Sequence, residues 1–331
     1  MNLPLDLAAS DATAHPVRRE RDFCADPESL EGIPGWDIHC LQVSRGALAG
    51  RSVDLHLPAV QLLFEEYRNV VTNQFGCAPP GSISLGIAVS MKSEGLLNGT
   101  RWGDGLSAFD TRHELDSIVW PTRLISVVVD RRLLAEYLWD TEHADIEHWL
   151  SDGPAVANDA PLAAGLAERL SGLADSCAVL GDAIGTPAVA HRLRDSVLAL
   201  LGPHIVDRLS VTAPSRPEGS HVEVVRRARE LVSAHQDDPP SIRELCLALG
   251  VSRRWLQLSF NAVLQMSPLA YLRAMRLDRA RRMLASGATG VQVKNAVEAY
   301  GFWHLSRFSR DYRDLFGELP SETLQRARAR T

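Results

Sequence analysis

The chain has 331 residues, 45% of them hydrophobic and 23% charged, enough to bury about two ordinary cores. No apolar run reaches the roughly 18 residues of a membrane helix, and the N-terminus is mixed and acidic rather than basic and then apolar, so a membrane span and a signal sequence are not expected. The five cysteines, Cys24, Cys40, Cys77, Cys177 and Cys246, are scattered and odd in number, which argues against a disulfide framework and a zinc site. A cytoplasmic protein with free thiols is the expectation. The net charge of −6 conceals a division: residues 214–331 carry 19 Arg or Lys against 12 Asp or Glu, whereas residues 1–213 carry 16 against 29. The basic end suits a polyanion and the acidic end repels one.

Residues 1–31 hold Pro, Asp and short apolar pieces without sustained periodicity, which predicts a weakly ordered N-terminal arm. From residue 32 to 150 short apolar runs recur between turn residues: Trp36–Val43, Val53–Leu57, Val60–Tyr67, Ser82–Val89, His113–Trp120 and Leu124–Val129. Punctuation by Gly50, Pro58, Pro79-Pro80-Gly81, Asn98-Gly99 and Gly103-Asp-Gly105 makes this an all-β domain, a barrel or jelly roll. Asp130 to Trp149 turns helical, and residues 151–213 form a helical linker or dimerisation region. There Leu162, Leu166, Leu170, Leu173, Cys177 and Leu180 follow one another as a helix stripe, and Pro187 to Leu209 repeats the pattern. Such stripes serve a dimer seam or pack on the chain's own β-domain. Val211 to Gly219, rich in Pro and Ser, is the linker.

Residues 214–331 contain one helix-turn-helix pattern twice. In the first copy Ser241 and Glu244 have the spacing of a capping box, Gly250 sits where a helix ends in a left-handed residue, and Ser252 caps the next helix. Ser267-Pro268 then opens a helix without an internal breaker to Leu284. The second copy runs from Val293 to Pro320. Leu256 pairs with Phe308, Phe260 with Tyr312 and Pro268 with Pro320 at an offset of 52, and Gly250 with Gly301 at 51, so the second turn carries one extra residue.

Gly250-Val-Ser-x-Arg-x-Leu, Ser267-Pro-x-x-Tyr271-Leu-Arg273-x-x-Arg276-Leu-x-x-Ala280-Arg-x-x-Leu284 and Gly301-Phe-x-x-x-Ser306-x-Phe308-Ser-Arg-x-Tyr312 with Gly317-x-x-Pro320 resemble the AraC/XylS family of transcription regulators over roughly a third of the chain. Gln265 stands where that family usually has Gly. The resemblance implies an α+β multidomain protein with an N-terminal cupin-like β-barrel or jelly roll and a C-terminal all-α double helix-turn-helix. The N-terminal half is also weakly similar to regulators of the ethanolamine-utilisation type. The expected function is a DNA-binding regulator, an activator, with double-stranded promoter DNA, RNA polymerase, a small-molecule effector and a second copy of itself as partners. The alternative makes the N-terminal half a protein-interaction module without a ligand.

A reading helix projects side chains from its first turns into the major groove, where Arg reaches guanine and Gln reaches adenine. The outward positions are Arg253, Arg254, Gln257 and Leu258 in the first copy and His304, Ser306, Arg307 and Arg310 in the second. Trp255 packs beside the backbone in this reading. The helix between the copies spans about 25 Å and, with side-chain reach, can set the two reading helices about one duplex turn apart. Its arginines, Arg273, Arg276, Arg279, Arg281 and Arg282, are expected to serve the fold. Trp36, Phe64, Tyr67 and Trp102 are the candidates for lining an effector pocket in the barrel. His39, His56 and His113 lie in the β-domain without the spacing of a metal site, and no phosphate loop, nucleophile elbow or catalytic carboxylate pair stands out. No enzyme, metal or cofactor is expected.

Overall fold

The computed structural model describes residues 18–24, 33–146, 149–150, 153–180, 186–209, 220–235 and 239–330. The chain divides into two units, one of residues 1–40, 49–69 and 73–214, the other of residues 41–48, 70–72 and 215–331.

The first unit is built on alternation. Its strands are β1 (Arg18–Cys24), β2 (Asp37–Gln42), β3 (Ala49–Leu57), β4 (Val60–Tyr67), β5 (Thr72–Cys77), β6 (Ser82–Val89), β7 (Gly95–Leu97), β8 (Thr100–Trp102), β9 (Gly105–Asp110), β10 (Leu115–Val119), β11 (Thr122–Asp130) and β12 (Ala155–Ala157). They form a seven-stranded sheet, β1-β3-β4-β11-β6-β9-β12, and a five-stranded one, β2-β5-β10-β7-β8. In β6, Ile83, Leu85, Ile87 and Val89 enter the main core while Ser84 and Gly86 line a cavity on the other face; in β11, Ile125, Val127 and Val129 oppose Leu124 and Ser126 in the same way. Two tight turns fix the register. Leu57 pairs with Val60 across Pro58-Ala59, and Leu97 pairs with Thr100 across Asn98-Gly99, whose φ values of 45° and 79° are those of a type I′ hairpin.

Three helices cover the outer face of the large sheet. Helix α1 (Arg131–Glu142) starts at Asp130, whose carboxylate accepts from the Arg132 and Leu133 amides. With α2 (Ala160–Leu180) and α3 (Pro187–His204) it buries Leu134, Leu138, Leu166, Leu170, Cys177, Val197 and Leu201 against the sheet. Each buried leucine contributes about 1.5–3 kcal/mol. Helix α3 passes through Pro203, which lacks an amide to donate, and widens into a π-helical turn at Ile205–Leu209.

Two expectations are corrected here. Residues 18–24 do not belong to a weakly ordered arm: they form β1, paired antiparallel with β3 from Arg18–Leu55 to Cys24–Ala49. An edge strand can be built from charged residues such as Arg19 and Glu20, so its sequence shows little hydrophobic period. The rest of that arm, and the linker from 211 to 219, lie outside the described residues. The described part of residues 151–213, namely 153–180 and 186–209, is not a separate region either, because β12 pairs with β9 and the Leu166–Cys177 stripe enters the core of the β unit.

The second unit is helical: α4 (His221–Ala234), α5 (Ile242–Leu249), α6 (Arg253–Leu264), α7 (Pro268–Ala285), α8 (Val293–Ala299), α9 (Leu305–Phe316) and α10 (Pro320–Arg330). The capping box is present, with the Ser241 amide donating to Glu244 at 2.7 Å and the Glu244 amide to Ser241 Oγ at 3.3 Å. Ser252 and Ser267 cap α6 and α7. Gly250 and Gly301 stand at φ 67° and 68°, so both turns use the left-handed residue that the repeat places there. The repeat extends to α10, which opens at Pro320 as α7 opens at Pro268. Phe302, Phe308, Tyr312 and Phe316 stack edge to face or tilted, with centroids 4.7 to 5.6 Å apart, in a core shared with Leu277 and Leu284 of α7.

Candidate nucleic-acid interface and ligand cavity

Helix α6 buries Leu256, Ser259 and Phe260 and presents the opposite face to solvent: Arg253, Arg254 and Leu258 are exposed, and Gln257 is half-buried with its amide donating to Asn261 Oδ1 at 3.2 Å. Trp255 is also exposed and lies against the His221 ring, centroids 4.4 Å apart, while His221 Nδ1 meets Ser259 Oγ at 3.0 Å. That contact ties α6 to α4 and holds the indole beside the exposed face of α6.

Helix α9 repeats the arrangement with a mostly aromatic buried face. Phe308, Tyr312, Leu315 and Phe316 are buried, and His304, Ser306, Arg307 and Arg310 are exposed. Trp303 is 92% exposed and Leu305 53%, so two large apolar side chains flank the start of the helix. The sequence reading passed over both, although their place just before and at the first turn was the available signal. His304 occupies the N-cap without a side-chain hydrogen bond.

The arginines of α7 differ from those on the exposed faces of α6 and α9. Those of α7 serve the fold: Arg273 pairs with Asp311 at 2.5 Å, Arg282 with Asp278 at 3.0 Å and Arg281 with Glu318 at 3.3 Å, and Arg276 lies over the Phe302 ring at 5.8 Å. Arg253, Arg254, Arg307 and Arg310 are exposed and make no ion pair among the described residues.

The β unit holds a partly open cavity of about 60 Å³ between its two sheets. Trp36, Tyr67 and Trp102 line it, as expected, but Phe64 does not. The period of two sends Leu63, Glu65 and Tyr67 of β4 inward and turns Phe64 to the helix-covered face, where it packs on the main core. The polar members were missed: Tyr67 Oη donates to Glu65 Oε1 at 2.6 Å, and Gln74 Nε2 donates to Tyr67 Oη at 2.7 Å. Burial pushes Glu65 up to about 7 against the lowering hydrogen bond from Tyr67, and the charge of Asp54 adds to the rise. The alternation Leu63-Glu65-Tyr67 was the signal, since a carboxylate between two inward positions must also face inward. His56 contacts Asp54 at 2.8 Å and His39 stacks on Phe75, so both histidines have partners outside any metal cluster.

A helix-turn-helix domain model matches residues 245–326. The probable thc operon regulatory protein of Rhodococcus erythropolis is 28% identical over 214 residues, covering 62% of this chain and 62% of that protein. XylDLEGF operon transcriptional activator 2 of Pseudomonas putida is 35% identical over 85 residues, 25% of this chain and 54% of that protein. The chain therefore spans less than two thirds of the length of these curated relatives. A probable AraC family transcriptional regulator of solved structure, from Rhodopseudomonas palustris CGA009, is 42% identical, covering 32% of this chain and 97% of that one with a TM-score of 0.31. Residues 241–330 thus hold the helix-turn-helix arrangement twice, with α6 and α9 joined through the long helix α7. Over this domain the chain is similar to transcription regulators of the AraC/XylS kind.

Proposed function

We propose that the chain is a sequence-specific DNA-binding transcription regulator whose monomer lays α6 and α9 in two successive major grooves and whose β unit holds a small-molecule effector. The observation that carries the DNA reading is the division of the arginines: those of α7 are engaged within the fold, while Arg253, Arg254, Arg307 and Arg310 stand exposed on the two reading helices. Arginines held by no carboxylate are available to phosphates and to guanine edges. Helix α7, with 18 residues, is about 27 Å long, which suits a spacing of one duplex turn, about 34 Å, once side chains are added.

The cavity favours an effector over a ligand-free interaction module, since a concave site lined by aromatic and a few polar groups is the usual form of a small-molecule site. An activating role would make RNA polymerase a further partner. Self-association would use a surface other than the buried Leu166, Leu170 and Cys177 stripe. The test is selection from a random duplex pool with the full chain at fixed salt. Two clusters of preferred base pairs about 10 base pairs apart are expected; a pool that stays random at low salt would overturn the reading.

A further inference from the structure

Among the described residues, the cavity of the β unit has one charged lining residue. Glu65 is 8% exposed and reaches the cavity from β4, and no lysine, arginine or histidine is among the lining residues. Its partner there is the Tyr67 hydroxyl, itself held by Gln74. The titratable groups around it are Tyr67 on β4, Cys40 on β2 and Asp54 on β3, the last bound to His56. Each of the three that face it is neutral or negative. The remaining walls include Trp36, Trp102, Leu63 and Phe109.

We propose that this cavity binds a small organic cation, a short alkylammonium whose charge is met by Glu65 and whose carbon chain lies against Trp36, Trp102 and Phe109. The inference rests on the reading of the β unit as the effector-binding half. A buried carboxylate without a basic partner is costly when ionised, and a cation brought into the same low-dielectric space removes that cost. Aromatic faces add attraction for an ammonium group. An anionic ligand would meet Glu65 with no positive side chain to offset it. The volume of about 60 Å³ admits roughly four or five non-hydrogen atoms. Burial holds Glu65 near 7, so the cation binds the ionised form and its binding releases a proton near neutrality.

The experiment uses the full chain and four-to-five-atom probes that differ in charge: n-propylammonium, 1-propanol and propionate, by calorimetry and thermal shift. Expected are binding of propylammonium at least tenfold tighter than propanol, none of propionate, and affinity for the ammonium weaker by about tenfold at pH 6 than at pH 8. Glu65→Gln keeps the shape, removes the buried charge, and should abolish both the preference for the ammonium and its pH dependence while the circular dichroism is unchanged. Equal binding of alcohol and ammonium, preference for propionate, no binding by any alkylammonium from methyl to butyl, or retention of the preference in Glu65→Gln would overturn the proposal. If Glu65→Gln failed to fold, the pH dependence and charge preference of the native chain would decide it alone. Ammonium binding that leaves DNA affinity unchanged would keep the site and remove its regulatory role, so the two readings fail separately.

Discussion

Gln265 holds φ at 54°, in the left-handed region, where its amide closes α6 by donating to the Asn261 carbonyl at 3.1 Å. A side chain in that conformation costs about 1 kcal/mol relative to glycine. Gln265→Gly should therefore raise the stability of the helical unit by about 0.5–1 kcal/mol, read from a higher denaturant midpoint at unchanged m-value. Gly250→Ala and Gly301→Ala run the other way. At both positions an added Cβ meets nothing within 4 Å, so the loss of about 1 kcal/mol comes from the backbone alone and should be the same in the two turns. Different losses would show that the extra residue of the second turn changes its strain. Glu318 gives the pH dependence. Burial pushes its carboxyl up, but hydrogen bonds from Arg326 and Thr323 and the charge of Arg281 outweigh burial and hold it below its ordinary value of 4.5. The folded value lies below the unfolded one, so this contribution is complete above about pH 4.5 and is lost as pH falls through the folded value. Urea melts from pH 7 to pH 3 should show Glu318→Gln less stable at pH 7 by roughly 2–3 kcal/mol, with a shallower acid decline than the native chain.

The helices of the C-terminal unit were legible because their start and stop signals are local: a capping box at Ser241, serines before α6 and α7, glycine after α5. The exposed faces of α6 and α9 followed from period, since Leu256 and Phe260 fix which side of α6 is inward. Strands were less legible. Residues Thr72–Cys77 and Gly105–Asp110 are strands β5 and β9, the first buried over Thr72–Gln74 and the second throughout, and their short mixed sequences, TNQFGC and GLSAFD, carry no clear apolar–polar alternation. The cavity was half legible, because aromatic residues were chosen by type while the strand period decides which of them face inward. That is why Phe64 was included and Glu65 was not. For the reading helices the expected outcome is separable specificity. Arg254→Ala or Gln257→Ala should cost about 1–3 kcal/mol and relax one cluster of base pairs, and Arg310→Ala should do so about 10 base pairs away. Site selection on each variant at one salt concentration checks this. Equal weakening on every sequence would identify these side chains as phosphate contacts.

On the scale of the whole chain, the opposite charges of the two units make the salt response a property of one end. Affinity for DNA should fall steeply with salt, with a slope that loses about one unit for each arginine removed from a phosphate contact. Arg253→Ala and Arg307→Ala, followed by affinity against log salt, measure it. The helices of the β unit yield a second expectation. Leu166 and Leu170 are 2% and 0% exposed within the main core, so Leu166→Glu with Leu170→Glu should unfold the β unit, with loss of strand signal in circular dichroism. A folded double variant that merely changed its sedimentation would instead place those leucines at a subunit seam.

The Asn98-Gly99 hairpin carries a chemical clock. Asparagine before glycine ages by attack of the glycine amide nitrogen on the asparagine side-chain carbonyl, a reaction that requires that side chain to swing freely. Here it cannot swing without breaking two bonds, since Asn98 Nδ2 donates to the Glu114 carbonyl at 3.1 Å and Oδ1 accepts from the Asp116 amide at 2.7 Å. Conversion to aspartate would also set a carboxylate against the Glu114 carbonyl. Deamidation at Asn98, followed by peptide mapping of stored protein, should therefore proceed through transient parting of the β7–β8 turn from the start of β10, and its rate is a readout of how often that edge of the β unit comes apart.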